Sequence, residues 1–273
     1  MKKIIILVIF LSGAHSSIGQ RTLVTTFAGA SNYNGEFESK RFTFKKAHIA
    51  LGIGLLYELT DQLSFSTGIK YGTISGQDAG TINRKRNLSF TSIITELQVG
   101  LEYDIINLNE SYISPYLFAG IAVFHFDPYT KDSSNRKQYL QELGTEGQGF
   151  FMDRKKYALT QFSIPFGGGI KYSFTDNIRV GLEVGFRKTF TDYLDDLSTS
   201  YVDKKVLLSH NGPQSVAFAF RGDELKNNLL YPAQGTKRGN PGSKDWYYFT
   251  GINVSFRLHD NSYSSRYKKE YTF

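Results

Sequence analysis

There is no cysteine in the 273 residues, and that one absence removes a disulfide framework, thiolate metal ligands and a lipid-modified cysteine anchor together. No segment after Gln20 carries 18 continuous apolar residues, so the mature part of the chain has no membrane-spanning helix. No stretch reads as a long amphipathic helix either. HExxH, GxSxG and phosphate-loop patterns are all missing. Gly52-Ile53-Gly54 and the triplet Gly167 to Gly169 fall inside strand-like runs, which removes a nucleotide-binding reading. What is present is Gly (26), Phe (22) and Tyr (18), a set that favours strands punctuated by turns.

The first residues have the form of an export signal. Met1-Lys2-Lys3 is a cationic head, Ile4 to Leu11 an apolar run, and Ser17-Ile18-Gly19 a small-residue site, so residues 1–19 are expected to be a signal peptide cleaved before Gln20. Export makes nucleic acid a poor partner, although the formal net charge is +7. Much of that charge sits in loops and in the terminal run SSRYKKEYTF, within a tail at 259–273 that is expected to lie in the periplasm and to reach a partner there or to stay disordered.

Between these ends, apolar residues recur at every second position. Strands are expected at 22–33, 46–59, 62–74, 88–106, 112–126, 157–174, 178–191 and 245–258. The connections alternate long and short without exception, and Thr60-Asp61 and Thr175-Asp176-Asn177 have the chemistry of tight turns. Eight strands joined in this way predict an all-β fold: an eight-stranded antiparallel transmembrane β-barrel of outer-membrane type over residues 20–258. Short turns and both termini would lie on the periplasmic side and long loops outside.

Alternation alone also suits a soluble sandwich, so the composition of the polar face decides. That face is largely Gly and Ser, as the narrow interior of a small barrel requires. Its charges are balanced, with Glu58, Glu96, Glu102, Asp104 and Glu183 against Lys70, Lys171, Arg179, Arg187 and Arg257. Buried charges persist only when paired, so these ten are expected to form a salt-bridge network that closes the lumen. The opposite face is expected to meet lipid through Phe162, Ile164, Phe166, Ile170, Tyr172, Phe174, Val180, Leu182, Val184, Phe186, Trp246, Tyr248, Ile252, Val254 and Phe256, with aromatics at both rims. Two strands fit less well. A β-bulge is expected between Phe90 and Leu97, where the alternation slips, and YLFAGIAVFHF is apolar on both parities.

Three constellations could carry chemistry. His125 and Asp127 near a strand end could serve a lipid-modifying site, but a rim histidine that packs and hydrogen-bonds locally is preferred. Asp192, Asp195, Asp196 and Asp203 in TDYLDDLSTSYVD offer oxygen ligands of the kind calcium takes, but their spacing follows no known loop, which favours a solvated acidic turn or helical cap. Asn83-Arg84-Lys85-Arg86 is a basic loop tip that could meet lipopolysaccharide phosphates, with simple solvation the default. No catalytic residue, cofactor or metal is therefore assigned, and no small-molecule substrate is identified.

The runs NLSFTSIITELQVGLEY, SPYLFAGIAVFHFDP, LQELGTEGQG, YALTQFSIPFGGGIKYSF, GLEVGFRKTFTDYLDDLSTSYVD and KRGNPGSKDWYYFTGINVSF resemble the Bacteroidota outer-membrane barrel family that includes PorG, a component of the type IX secretion system. RKTFTDYLDD with STSYVD, and RGNP followed by DW, are the most specific pieces. The resemblance implies a non-enzymatic outer-membrane protein associated with a periplasmic ring made of a lipoprotein and its partner subunit. Two other functions stay open: a surface-binding barrel using the long loop at 193–244, and lipid hydrolysis or acyl transfer at His125.

Overall fold

A computed structural model describes residues 21–38, 43, 46–152 and 154–258. The expected signal peptide and the 259–273 tail lie outside the described residues. The strands are β1 (Thr22–Asn34), β2 (His48–Glu58), β3 (Leu63–Gln77), β4 (Ser89–Asp104), β5 (Ile113–His125), β6 (Pro128–Lys131), β7 (Lys137–Tyr139), β8 (Thr160–Thr175), β9 (Ile178–Thr189) and β10 (Trp246–Arg257). Eight of them pair antiparallel in a ring, β1-β2-β3-β4-β5-β8-β9-β10, with β10 returning to β1. The chain is thus a closed eight-stranded antiparallel barrel of the outer-membrane type. The short hairpin β6–β7 continues the wall above β4 through Thr91 and Ser92.

Turns at 59–62, 105–112 and 176–177 occupy one rim, and the connections at 35–47, 78–88, 126–159 and 190–245 occupy the other. At the short rim, Thr60 Oγ1 accepts from the Leu63 amide and Thr175 Oγ1 from the Ile178 amide, which is how short polar side chains hold a tight reversal. The last long connection contains a helix, α2 (Lys204–Ala219), that the sequence pattern does not announce; a single-turn helix, α1 (Leu140–Leu143), precedes it in the chain. The α2 helix is broken at Gly212 (φ 80°) before Pro213, so it is two short helical pieces with no sustained apolar stripe.

Alternation along the strands sorts the side chains cleanly. Of the residues expected to meet lipid, Phe162, Ile164, Phe166, Ile170, Tyr172, Phe174, Val180, Leu182, Val184, Ile252 and Phe256 are exposed, and Phe186, Trp246 and Val254 are half-buried. Ile49, Ile53, Leu97, Leu117 and Ile121 join this outward band, and Ile121 is 63% exposed. Tyr248 corrects the expectation: it has outward parity but is only 2% exposed, because the connection after β1 folds over it. Its hydroxyl accepts from the Thr43 amide (3.0 Å) and donates to the Thr43 carbonyl (2.6 Å).

The bulge expected in β4 is absent. Pairing with β3 runs from Leu63↔Tyr103 to Gln77↔Ser89 without a break, and Phe90, Ile94 and Glu96 all point inward. The apparent slip arose because the inward residues change from charged to apolar as the strand rises. The same change explains β5, whose inward Tyr116 and Phe124 are buried in the lumen while Leu117 and Val123 face out.

A barrel whose hydrocarbon contact is made by this band will not tolerate charge at its mid-height. Ile252→Arg, beside Leu182 in the ladder, is expected to cost about 2–4 kcal/mol of folding free energy in phospholipid vesicles. Gly251→Ser, on the inward parity, is not a matched control, since a Cβ there would strike the β1 backbone; Thr250→Ser serves instead and is expected to be near neutral. Denaturant titration of vesicle-folded protein checks both.

Candidate functional site

The lumen has two storeys. In the half nearer the short turns, charges from strands that are not neighbours meet across the barrel. Glu58 of β2 binds Arg179 of β9 (2.5 Å) and Arg257 of β10 (2.8 Å). Lys171 of β8 binds Glu102 and Asp104 of β4, the latter at 2.7 Å. Lys70 of β3 binds Glu183 of β9 at 2.5 Å, and Asn253 donates to the same carboxylate. Higher still, Arg187 of β9 grips Glu96 of β4 through Nε and Nη2, and Tyr247 completes the carboxylate at 2.6 Å. Glu96 and Arg187 are wholly excluded from solvent. All ten balanced charges read from the strand parity thus lie in ion pairs between strands that are not neighbours.

Aromatic rings fill the space between these pairs, and glycine makes room for them. A Cβ on Gly169 would come within 2.8 Å of the Tyr116 ring, and one on Gly185 within 2.7 Å of the Phe118 ring. The void left among Gly52, Gly68, Lys70, Glu102 and Glu183 is about 70 Å3, room for a few waters and no more. Lys70 and Arg187 also stack over Phe27 and Phe249 at 4.5 and 4.6 Å.

In the half nearer the long loops the interior is an ordinary hydrophobic core. Phe27, Ile74, Phe90, Ile94, Phe124 and Phe249 from the strands meet Phe37, Leu140, Leu194, Leu197 and Phe218 from the loops. Above it sits a cap of buried polar groups. Arg238 reaches Glu146 (3.0 Å) and Asp196 (3.4 Å), and donates to the carbonyls of Asp196 and Ala219. Glu146 also accepts from the Ser198 and Thr199 amides and from the Thr199 hydroxyl. Asp196 accepts from Tyr157 and Thr145. Burial pushes the Asp196 carboxyl up to about 7 despite the Arg238 guanidinium beside it.

These findings revise two sequence expectations. Asp203 caps α2, accepting from the amides of Lys205 and Val206. Asp192, Asp195 and Asp196, however, are buried rather than solvated, because the 190–197 segment folds back over the barrel mouth onto Asp245 and Tyr33. In the basic tip, Arg84 and Lys85 are exposed, but Arg86 is buried and bound to Asp78 by two hydrogen bonds of 2.8 and 2.7 Å. His125 points outward and shares a 3.1 Å hydrogen bond with Thr160 on the neighbouring strand, the local contact expected of a rim histidine.

Tyr33, Glu36, Asp78, Glu146, Arg238 and Asp245 were not singled out as site residues in the sequence. Three of them stand in the loop runs LQELGTEGQG and KRGNPGSKDW, polar stretches outside any strand. The structure brings those runs together with RKTFTDYLDD at the barrel mouth.

Breaking the most deeply buried pair is expected to be costly. Arg187→Met leaves Glu96 without its charge partner and is expected to lose about 3–5 kcal/mol. The double variant E96L/R187M, with no orphaned charge, is expected to recover most of it. Urea unfolding in vesicles, followed by gel mobility with and without heating, measures both.

The chain is similar to solved outer-membrane barrels at low sequence identity. Neisserial surface protein A (NspA) is 10% identical over 86% of this chain and 96% of its own, with a TM-score of 0.43. Ail, the attachment invasion locus protein of Yersinia pestis, is 6% identical over 86% and 96%, with a TM-score of 0.41. OprG from Pseudomonas aeruginosa is 10% identical over 87% and 97%, with a TM-score of 0.39. No curated protein matches the sequence. The model of a domain of unknown function, DUF6089, matches residues 2–222, and the chain therefore belongs to the DUF6089 family.

Proposed function

We propose that this protein is a non-enzymatic barrel of the bacterial outer membrane that anchors a protein-secretion assembly of the type IX kind. Its short-turn rim and both termini would face the periplasm. The observation that carries the reading is the closed interior within an apolar outer band. Cross-lumen ion pairs and a packed cap fill the barrel from rim to rim, so its work is done by surfaces rather than by passage. A rigid, lipid-held cylinder suits an anchor. The sequence resemblance described above is what supports a periplasmic ring lipoprotein and its partner subunit as the soluble contacts.

Because the chain has no native cysteine, its orientation is open to a clean test. Ser133→Cys in the β6–β7 hairpin is expected to react with a membrane-impermeant maleimide on intact cells, whereas Asp61→Cys in the first short turn is expected to react only after permeabilisation. Labelling in the opposite sense would reverse the proposed topology. The anchoring role is tested by crosslinking intact envelopes and recovering the barrel through a tag at Phe273. Recovery of periplasmic ring subunits is the expected result. A correctly inserted barrel that repeatedly brings down none of them would reject the secretion reading and turn attention to the long-loop surface.

A further inference from the structure

We propose that Glu36, Asp195 and Asp245, with the buried Asp192 beside them, form a calcium site that ties the loop cap to the mouth of the barrel. One carboxylate oxygen from each of Glu36, Asp195 and Asp245 lies within 4.8 Å of the other two. Oxygens on opposite sides of a bound Ca2+ stand about twice its 2.3–2.6 Å bond apart, so one ion of that size can be shared by all three. The three residues come from different stretches, after β1, after β9 and before β10, and an ion among them would fasten all three.

Three carboxylate oxygens here lack a partner. Glu36 Oε2 and both oxygens of Asp192 are buried and meet no hydrogen-bond donor; the neighbouring Ser198 hydroxyl does not reach bonding geometry. Asp192 is buried beside this cluster, close enough that its charge helps raise the Asp245 carboxyl and is itself raised by Glu36. The partners that do exist are neutral. The Tyr33 hydroxyl donates to Asp195 at 2.5 Å and lies 3.3 Å from Asp245, and the amides of Leu194, Leu197 and Asn240 donate to Asp245, Asp195 and Glu36.

The adjoining networks are built differently. Asp78 has Arg86, and Glu146 and Asp196 share Arg238. Arg86 is itself occupied by Asp78 and the Arg238 carbonyl, so it acts on Glu36 and Asp195 only from a distance. Burial raises all four carboxyls above their ordinary range, Asp192 to about 7, and repulsion from neighbouring carboxylates adds to it at Asp192, Asp195 and Asp245. Gly35 keeps the space clear, since a Cβ there would run into the Tyr33 hydroxyl and the Asp245 carboxylate. Oxygen-only donors suit a hard cation, and the burial of Asp195 and Asp245 suits Ca2+ better than Mg2+, which retains several of its waters.

A proton shared between Glu36 and Asp245 would also relieve the repulsion, and the test separates the two. The full chain, folded in lipopolysaccharide-free detergent and stripped with chelator, is titrated with Ca2+ by calorimetry and with Tb3+ by luminescence excited through Tyr33. Saturable binding of one Ca2+ per chain is expected below about 1 mM, with slower proteolysis of the 190–245 connection. Asp195→Asn and Asp245→Asn are expected to weaken binding at least about tenfold, while Asp132→Asn leaves it unchanged. Should either buried variant fail to fold, Glu36→Gln at the half-exposed edge of the site is expected to show the same loss. No saturable binding by the wild-type protein, or binding that survives Glu36→Gln and Asp245→Asn, would overturn the assignment. Asn variants that resist protease better than a wild type indifferent to Ca2+ would identify a shared proton instead.

Discussion

Closure of the sheet between β10 and β1 is the constraint on which the other features depend. Hydrocarbon offers no partner to a backbone amide or carbonyl, so an open strand edge inside a bilayer would leave a row of polar groups unsatisfied. Joining the first strand to the last removes that edge. Once the ring is closed at eight strands, its bore is too narrow for a water channel and too wide to leave empty, and side chains must fill it. The apolar residues then face outward, and the inward positions carry whatever the confined interior can satisfy.

The interior meets that demand in two ways along one axis. Near the short turns it uses ion pairs that join non-adjacent strands, with glycines opposite Tyr116 and Phe118 giving the rings room. Near the long loops it uses a hydrophobic core completed from above by loop residues such as Phe37, Leu194 and Leu197. The lower half is therefore self-contained, whereas the upper half depends on the loops being in place. The 190–245 connection is part of the folded body, and its burial of Asp195, Asp196 and Arg238 makes it continuous with the barrel mouth.

The barrel was legible because its signal is a period of two, and closure imposes that period on every strand. Phe162, Leu182 and Ile252 alternate with glycine and charge regardless of what lies above them, so strand count and facing could be read directly. The slip of alternation in β4 imitates a bulge because periodicity assumes one kind of interior, and Phe90 and Ile94 belong to the hydrophobic storey while Glu96 belongs to the ionic one. Parity also could not pair the charges: Lys70 sits beside Glu96 in the ladder yet binds Glu183 across the lumen. The cap was the least legible part. Glu36, Glu146 and the stretch from Arg238 to Asp245 are far apart in the chain and obey no repeat, and only the fold of the loops brings them together.

The cross-lumen pairs also bear on how the molecule is made. Glu58 meets Arg257, and Lys70 meets Glu183, only when distant parts of the chain have curled into a cylinder. A half-inserted sheet would turn charges such as Glu58 and Glu183 toward acyl chains without the partners they meet in the closed barrel, a state far too costly to linger in. Strands added to the bilayer singly would pass through that state repeatedly. The arrangement therefore favours concerted entry, in which curling and neutralisation proceed together and the last seam is zipped only after the polar interior has assembled.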